Sequence, residues 1–294
     1  MKYRVQHITT YSYPSLVSQC HNVAHLLPRD TPTQRCHSSR LQVKPRPTVS
    51  TNREDYFGNP TRHFTIEHPH RSLVVTATSV VDTLPTADNL NLDIGNSCAD
   101  VQRLLQEDTS EPTLLAREFA VNSPLIARAD WLAQYAAPTF TPERPFLGAV
   151  REFVRRIFTE FTYESGFTTV TTALEHVMKH KKGVCQDFAH LAIGCLRSLG
   201  YPARYVSGYI ETLPPPGQEK LVGSDASHAW FSVYSPGEGW YDFDPTNDLI
   251  VGEQHIAVGW GRDFSDVTPL KGVIFGNTSQ QNLSVSVDVR RLEN

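Results

Sequence analysis

The chain has 294 residues, of which 39% are hydrophobic and 20% charged, and its formal net charge is −4 at pH 7. This composition is typical of a folded globular protein and excludes a disordered or fibrous chain. The slight negative charge offers no basic field to nucleic acid or to an anionic membrane surface, so we expect neither as a partner.

No segment is predicted to direct the chain to a membrane. Residues 1–7 alternate polar and apolar side chains instead of opening an apolar signal segment, and no later run approaches the ~20 apolar residues of a membrane span. The cysteines are odd in number and widely spaced, which disfavours a disulfide framework: Cys20, Cys36, Cys98, Cys185 and Cys195. We therefore expect a cytoplasmic protein with reduced thiols.

The first part of the chain is predicted to be a β-rich domain. Residues 2–13 and 61–82 are rich in β-branched side chains and predict strands. Turn-like segments containing proline, glycine and asparagine lie between them. Because the chain exceeds the usual size of one compact core, we expect a separate N-terminal domain over residues 1–84.

From about residue 85 the pattern becomes helical. Residues 99–105 and 124–132 have helical character, and Pro112 and Pro124 suit the first turns of helices. We expect a helical connector over residues 85–144, followed by a core over 145–250 and a C-terminal extension with a terminal strand over 251–294.

Within the predicted core, one helix begins at a cysteine. Its apolar residues recur at steps of three or four, at Val184, Phe188, Leu191, Cys195 and Leu199. Gly200 suits the position just after a helix, and Pro202 cannot continue one. Cys185 therefore lies in the first turn. The thiolate is the nucleophilic form of cysteine, and a helix start stabilises negative charge by only about 0.3 to 1 kcal/mol, so the thiolate also needs an imidazolium.

A hairpin is predicted to supply that imidazolium and a carboxylate. If residues 228–234 and 240–244 are antiparallel strands joined by the loop 235–239, residue 234 faces 240 and residue 230 faces 244. His228 and Asp244 then share a face as diagonal neighbours on adjacent strands, with their backbones about 7 to 8 Å apart. Asp242 shares the face but lies farther from His228. The pattern predicts Cys185 as nucleophile, His228 as base and Asp244 as the group that orients the ring.

At these residues the chain resembles the transglutaminase-like superfamily, in its bacterial branch. The resemblance is carried by residues 183–190, 204–209, 228–230 and 243–247, in the family's order and spacing. It extends to residues 7–13, 27–29 and 55–59, which are similar to the β-rich domain that precedes the core in such bacterial proteins, and to residues 261–267 near the C-terminus. The resemblance places the family's catalytic triad on Cys185, His228 and Asp244.

The resemblance implies an α+β fold with a papain-like, transglutaminase-like core. In that core, a helix carrying the cysteine packs against an antiparallel sheet carrying the histidine and the aspartate. The resemblance does not fix the reaction, because the superfamily includes transamidating enzymes, peptidases, other amide hydrolases and inactive relatives.

These observations favour a thiol-dependent hydrolase of amide or peptide bonds that acts on a peptide or protein through a thioester at Cys185. Water is the default acceptor because no second site for an amine is evident. One alternative is a protein-glutamine transamidase, and another is a non-catalytic protein-binding module. No cofactor and no metal are expected, because histidine pairs such as His21 and His25 lack acidic or thiolate partners.

Three further residues near the motifs are assigned mainly structural roles. Asp187 lies in the first turn of the cysteine helix, where an acid favours the helix dipole. His190 points away from Cys185 on the helix. Tyr163 could offer a hydroxyl to the reacting carbonyl, although a tyrosine anchored at a helix end is the commoner case. The side chain of the oxyanion hole and the oligomeric state are left open.

Overall fold

The computed structural model describes residues 1–85, 90–212, 227–276 and 281–292. Helices make up 23% and strands 44% of the structure, which confirms the α+β class. The strands are β1 (Lys2–Ala24), β2 (Gln34–Lys44), β3 (Val49–Glu54), β4 (Pro60–Ile66), β5 (His70–Thr83), β6 (Thr162–Tyr163), β7 (Lys182–Gly183), β8 (Ala203–Ile210), β9 (Ser227–Ser235), β10 (Gly239–Asp244), β11 (Leu249–Ile250), β12 (His255–Gly261), β13 (Leu270–Gly276) and β14 (Asn282–Arg291). The helices are α1 (Cys98–Glu107), α2 (Glu111–Arg117), α3 (Asp130–Ala136), α4 (Phe146–Glu160), α5 (Leu174–His180) and α6 (Cys185–Ser198).

The N-terminal region is a seven-stranded sheet organised around β1. The order β2-β5-β1-β4-β3 forms its main path, and β13 and β14 also pair with β1. Buried and accessible residues largely alternate along β1, as expected for a strand with one face on a core. The predicted β-rich N-terminal region is confirmed.

The segment 251–294, predicted from the sequence to be a C-terminal extension, contributes to both sheets. Strand β12 pairs with β8, whereas β13 and β14 pair with β1. This part of the chain therefore pairs with strands of both the N-terminal sheet and the core sheet.

The core is a five-stranded antiparallel sheet in the order β11-β10-β9-β8-β12. Helix α6 packs on one face of this sheet, where Ala203, Phe231 and Val233 are buried with the helix in one hydrophobic cluster. Residues 187–197 of α6 are all buried, because the helix also contacts α3, α4 and α5. It begins at Cys185 as predicted, and Gly200 follows its end at φ 89°.

The two sheets pack against each other near the ends of β8 and β12. The Gln34 side-chain amide exchanges two hydrogen bonds of 2.8 Å with the backbone of Ala257. A hydrophobic cluster joins residues from both sheets, among them Tyr3, Tyr209 and Ile256. Among the described helices, none is long and apolar enough to traverse a bilayer.

Candidate active site

Cys185 is the first residue of α6, and a buried carboxylate fixes the start of that helix. Val184 is extended, and its N–H donates to Asp187 Oδ2 at 2.8 Å. The Thr168 hydroxyl donates to the same oxygen at 2.6 Å. Burial raises the pKa of Asp187, and these hydrogen bonds oppose the shift. Asp187 therefore satisfies a backbone donor at the helix start, which agrees with the structural role predicted for it.

The residues just before Cys185 are positioned by close packing. A Cβ atom on Gly183 would lie 2.8 Å from Asp187 Oδ2, so a larger residue would displace the cap. Gly183 pairs in parallel with Tyr163, which brings this tyrosine beside the cysteine. The Tyr163 side chain is 53% exposed, and its pKa is raised by partial burial and by the proximity of Cys185.

The hairpin has the register that the sequence predicted. Trp240 pairs with Tyr234 and Phe243 with Phe231, so His228 and Asp244 lie on the same face. His228 Nε2 is 2.8 Å from Asp244 Oδ2, and both side chains are buried.

Asp244 is held by donors on both of its oxygens. Oδ1 accepts the backbone N–H groups of Thr246 at 2.9 Å and Asn247 at 3.3 Å. Oδ2 lies 2.7 Å from Asn247 Nδ2 and 3.1 Å from His255 Nε2, in addition to its contact with His228. Burial alone would raise the pKa of Asp244, but these donors hold it well below its usual range. The carboxylate is therefore ionised and fixed in orientation.

His228 connects this carboxylate to the thiol. Burial favours the neutral ring, but hydrogen bonds with Asp244 and Cys185 outweigh burial and raise the pKa of His228 to about 10. Since Nε2 faces Asp244, Nδ1 is the ring nitrogen left for the thiol. The structure thus places His228 between the Asp244 carboxylate, 2.8 Å away, and the Cys185 thiol, and both neighbours favour the charged ring.

Sequence reasoning missed His255. This residue begins β12, and β8 and β9 lie between β12 and β10 in the sheet order. In a flat sheet β10 and β12 would be about 14 Å apart. The contact of 3.1 Å between His255 and Asp244 therefore requires the sheet to curl toward the face that carries His228, which we call the concave face. No local spacing in the sequence signals this contact.

His228, Asp244 and His255 also offer three possible metal-ligand atoms within 4.8 Å of one another. The Nε2 atoms of both histidines and Oδ2 of Asp244 already take part in the hydrogen bonds just described. A metal ion bound by these atoms would have to replace those bonds. The predicted absence of a metal and of a cofactor stays a prediction.

The other cysteines occupy different surroundings. All five cysteines are free thiols, and Cys20, Cys98 and Cys195 are buried. Burial strongly raises the pKa of Cys195. His190 is also buried, and its Nε2 accepts the backbone N–H of Phe264 at 3.1 Å, in agreement with a structural role.

Comparison with known proteins identifies the family. Residues 3–82 match the bacterial transglutaminase-like N-terminal region, and residues 133–245 match the transglutaminase-like superfamily. An uncharacterised protein of Mycobacterium tuberculosis (strain ATCC 25618 / H37Rv) is 42% identical over 294 residues, which cover 98% of this chain and 92% of that protein. The chain belongs to the transglutaminase-like superfamily.

Two further proteins are similar to this transglutaminase-like protein. A solved structure described as a putative cysteine protease from Cytophaga hutchinsonii superimposes with a TM-score of 0.75 at 23% identity, and covers 100% of this chain and 92% of that chain. A protein-glutamine gamma-glutamyltransferase of Pseudomonas aeruginosa is 39% identical over 67 residues, which cover 22% of this chain and 10% of that protein. The structural likeness supports the fold.

Proposed function

We propose that this transglutaminase-like protein is a thiol-dependent hydrolase of amide or peptide bonds, with a peptide or protein as substrate. The observation that carries the proposal is the position of His228, which lies 2.8 Å from the buried Asp244 carboxylate and beside the Cys185 thiol. An imidazolium whose pKa is about 10 stays charged at neutral pH and stabilises a thiolate beside it.

The first half of the reaction forms a thioester. The Cys185 thiolate adds to the carbonyl carbon of the amide, and the carbonyl oxygen takes up negative charge. His228 then gives its proton to the amide nitrogen, the carbon–nitrogen bond breaks, and the amine leaves. Asp244 holds the ring of His228 in the orientation that presents Nδ1 to the reacting atoms.

The second half returns the enzyme to its starting state. Neutral His228 accepts a proton from water, the oxygen of that water adds to the thioester carbon, and the carbon–sulfur bond breaks. The products are a carboxylic acid and the original thiolate–imidazolium pair.

Two groups near Cys185 are suited to stabilise the oxyanion. The first N–H groups of a helix have no partner within the helix, so the N–H of Cys185 at the start of α6 is a preorganised donor. The Tyr163 hydroxyl is a second candidate because its strand pairs with Gly183. Each donor of this kind contributes about 10²- to 10³-fold to the rate in enzymes that use one.

A transamidase is the second candidate, favoured by the similarity of residues in this chain to the gamma-glutamyltransferase. The thioester would form in the same way, from a glutamine side chain with release of ammonia. A primary amine would then replace water as the acceptor. The two functions therefore differ in the second half-reaction and share the same three residues.

Incubation with a casein-type protein and a fluorescent primary amine tests both candidates. Hydrolysis gives cleaved chains or deamidated glutamines without incorporation of the label, whereas a transamidase attaches the label to glutamine. Mass spectrometry of the quenched protein should detect an acyl group on Cys185. Cys185→Ala should abolish both products, while Cys36→Ala, at a half-buried cysteine in the N-terminal sheet, should retain them. Turnover by Cys185→Ala at the wild-type rate would rule out the thioester route.

A further inference from the structure

A cavity of about 430 Å³ lies on the concave face of the core sheet. Residues of β10, β11 and β12 line it, together with residues 31–34 of the N-terminal region. Its wall includes three of the four tryptophans of the chain: Trp230, Trp240 and Trp260. Its size and apolar lining are typical of a small-molecule site.

One cation lies among these indoles. The Arg204 guanidinium carbon is 4.2 Å from the ring centroid of Trp240 and 3.8 Å from that of Trp260. Arg204 lines the cavity and is partly buried. Within the described part of the chain, its guanidinium has one hydrogen bond, from Nε to Ser232 Oγ at 3.3 Å, and forms no salt bridge.

The charge of Arg204 is only partly compensated. Burial lowers the pKa of Arg204 to about 9, although Asp242 acts in the opposite direction. The Asp242 carboxylate also lines the cavity, but it is already engaged by the Ser232 hydroxyl and by the Trp230 indole N–H at 3.4 Å. The Arg29 guanidinium carbon lies 3.2 Å from the ring centroid of Trp260, and the charge of Arg29 is offset by Asp55 and Glu54. A partly buried cation that forms no salt bridge is costly in free energy, and an anion in the cavity would reduce that cost.

We propose that this cavity binds a carboxylate attached to an apolar group. The carboxylate would pair with the planar guanidinium of Arg204, which is suited to bidentate contact, and the apolar group would lie against the tryptophans. Such a ligand is either a free organic acid or the C-terminus of a peptide that ends in an apolar residue. The inference goes beyond the proposed reaction and does not depend on Cys185.

The cavity also adjoins the catalytic residues. The ring of Trp230 lies 6.1 Å from that of His228 and 5.3 Å from that of His255, measured between centroids. A ligand in the cavity would therefore be one side chain away from the thiol–imidazole–carboxylate chain.

Intrinsic fluorescence provides the test, because three of the four tryptophans line the cavity. The wild-type protein is titrated with 3-phenylpropanoate and with its amide, and separately with N-acetyl-leucyl-phenylalanine and with its C-terminal amide. We expect the acids to change the tryptophan emission saturably and the amides to bind at least about tenfold more weakly, since a hydrogen bond to a charged group contributes roughly 1.5 to 3 kcal/mol. Saturation by both acids assigns the site to carboxylates in general, and saturation by the peptide acid alone assigns it to peptide C-termini.

Two variants locate the response. Arg204→Met, which keeps the length of the side chain but removes its charge, should abolish the preference for acid over amide. Arg156→Met is the matched control, because Arg156 also stacks on an aromatic ring, that of Tyr135 at 4.8 Å, outside the cavity. If Arg204→Met does not fold, the comparison of acid and amide on the wild-type protein still shows whether the site prefers a carboxylate. Equal affinity for acid and amide, or no saturable response to either acid, would overturn the proposal. The titration is repeated with Cys185→Ala, in which binding of the acids should be unchanged. This tests the binding site independently of the proposed reaction.

Discussion

His255 and His228 direct their Nε2 atoms to the same oxygen of Asp244, at 3.1 and 2.8 Å. Since an ionised carboxylate oxygen can only accept, both Nε2 atoms carry hydrogens, which fixes Nε2–H for His255 as well as for His228. Asp244 therefore holds two rings, one that faces the thiol and one that belongs to the cavity wall.

The first prediction concerns this second ring. His255→Leu removes one donor from a buried carboxylate, and we expect kcat/KM to fall about tenfold, in line with 1.5 kcal/mol or more for a hydrogen bond to a charged group. His255→Gln, whose amide can donate to Asp244, should recover most of the loss. Steady-state kinetics on both variants, together with their thermal unfolding, check this. If His255→Leu works at the wild-type rate, the donors from His228, Thr246 and Asn247 suffice to hold the carboxylate.

The contrast between His228 and His255 shows how far the sequence predicts this site. His228 and Asp244 lie on one hairpin, so loop length and strand alternation sufficed to place them on one face. Cys185 followed from the periodicity of one helix and the glycine after it. All three predictions needed only contacts within a few tens of residues along the chain.

His255 could not be predicted in this way. Its contact with Asp244 depends on the curl of the whole sheet and on the position of β12 at the sheet edge beside β8. The same applies to β13 and β14. The sequence predicts one terminal strand in this segment, whereas β13 and β14 both pair with β1, more than two hundred residues earlier. Long-range pairing of this kind is set by the packing of the two sheets, for which local patterns carry no signal.

The second prediction concerns pH. In Asp244→Asn the hydrogen-bonded charge that raises the pKa of His228 to about 10 is lost, and burial then favours the neutral ring. The imidazolium should therefore disappear at a lower pH, and the basic limb of the kcat/KM profile should move toward acid. Asp242→Asn, on the same strand and face but bonded to Ser232, should leave that limb in place. An unmoved basic limb in Asp244→Asn would assign it to another group.

The same shift has a consequence for stability. The pKa of His228 is raised from 6.5 to about 10 on folding, so the stabilisation from its ionisation is fully present below pH 6.5 and is lost as the pH rises through about 10. The free energy of unfolding of the wild-type protein should thus decline between pH 7 and 10 more steeply than that of His228→Gln. Chemical denaturation at several pH values measures the difference. Parallel curves would mean that His228 has the same proton affinity in the folded and unfolded chains.

The third prediction concerns the cap of the cysteine helix. Asp187→Ala leaves the Val184 N–H without its acceptor, which should destabilise the protein by about 1 to 2 kcal/mol and also reduce activity, because Cys185 begins that helix. Asp100→Ala is the matched control, since Asp100 accepts the backbone N–H of Ser97 in the same way at the start of α1. Urea unfolding should show losses in both variants, whereas activity should fall in Asp187→Ala alone. An equal loss of activity in Asp100→Ala would mean that the loss in Asp187→Ala results from general destabilisation.

The fourth prediction concerns thiol reactivity. At neutral pH we expect iodoacetamide to modify Cys185 at least about tenfold faster than Cys36, because a cysteine of ordinary pKa is only a few per cent thiolate. Cys36 is an internal control: it is partly accessible like Cys185, but burial and the nearby Asp30 raise the pKa of its thiol. The buried Cys20, Cys98 and Cys195 should be protected in the folded protein. His228→Ala should slow the labelling of Cys185 at least about tenfold relative to the wild-type protein, as measured by peptide mass spectrometry over time. Labelling of Cys185 and Cys36 at equal rates in the wild-type protein would mean that the contact with His228 does not activate the thiol.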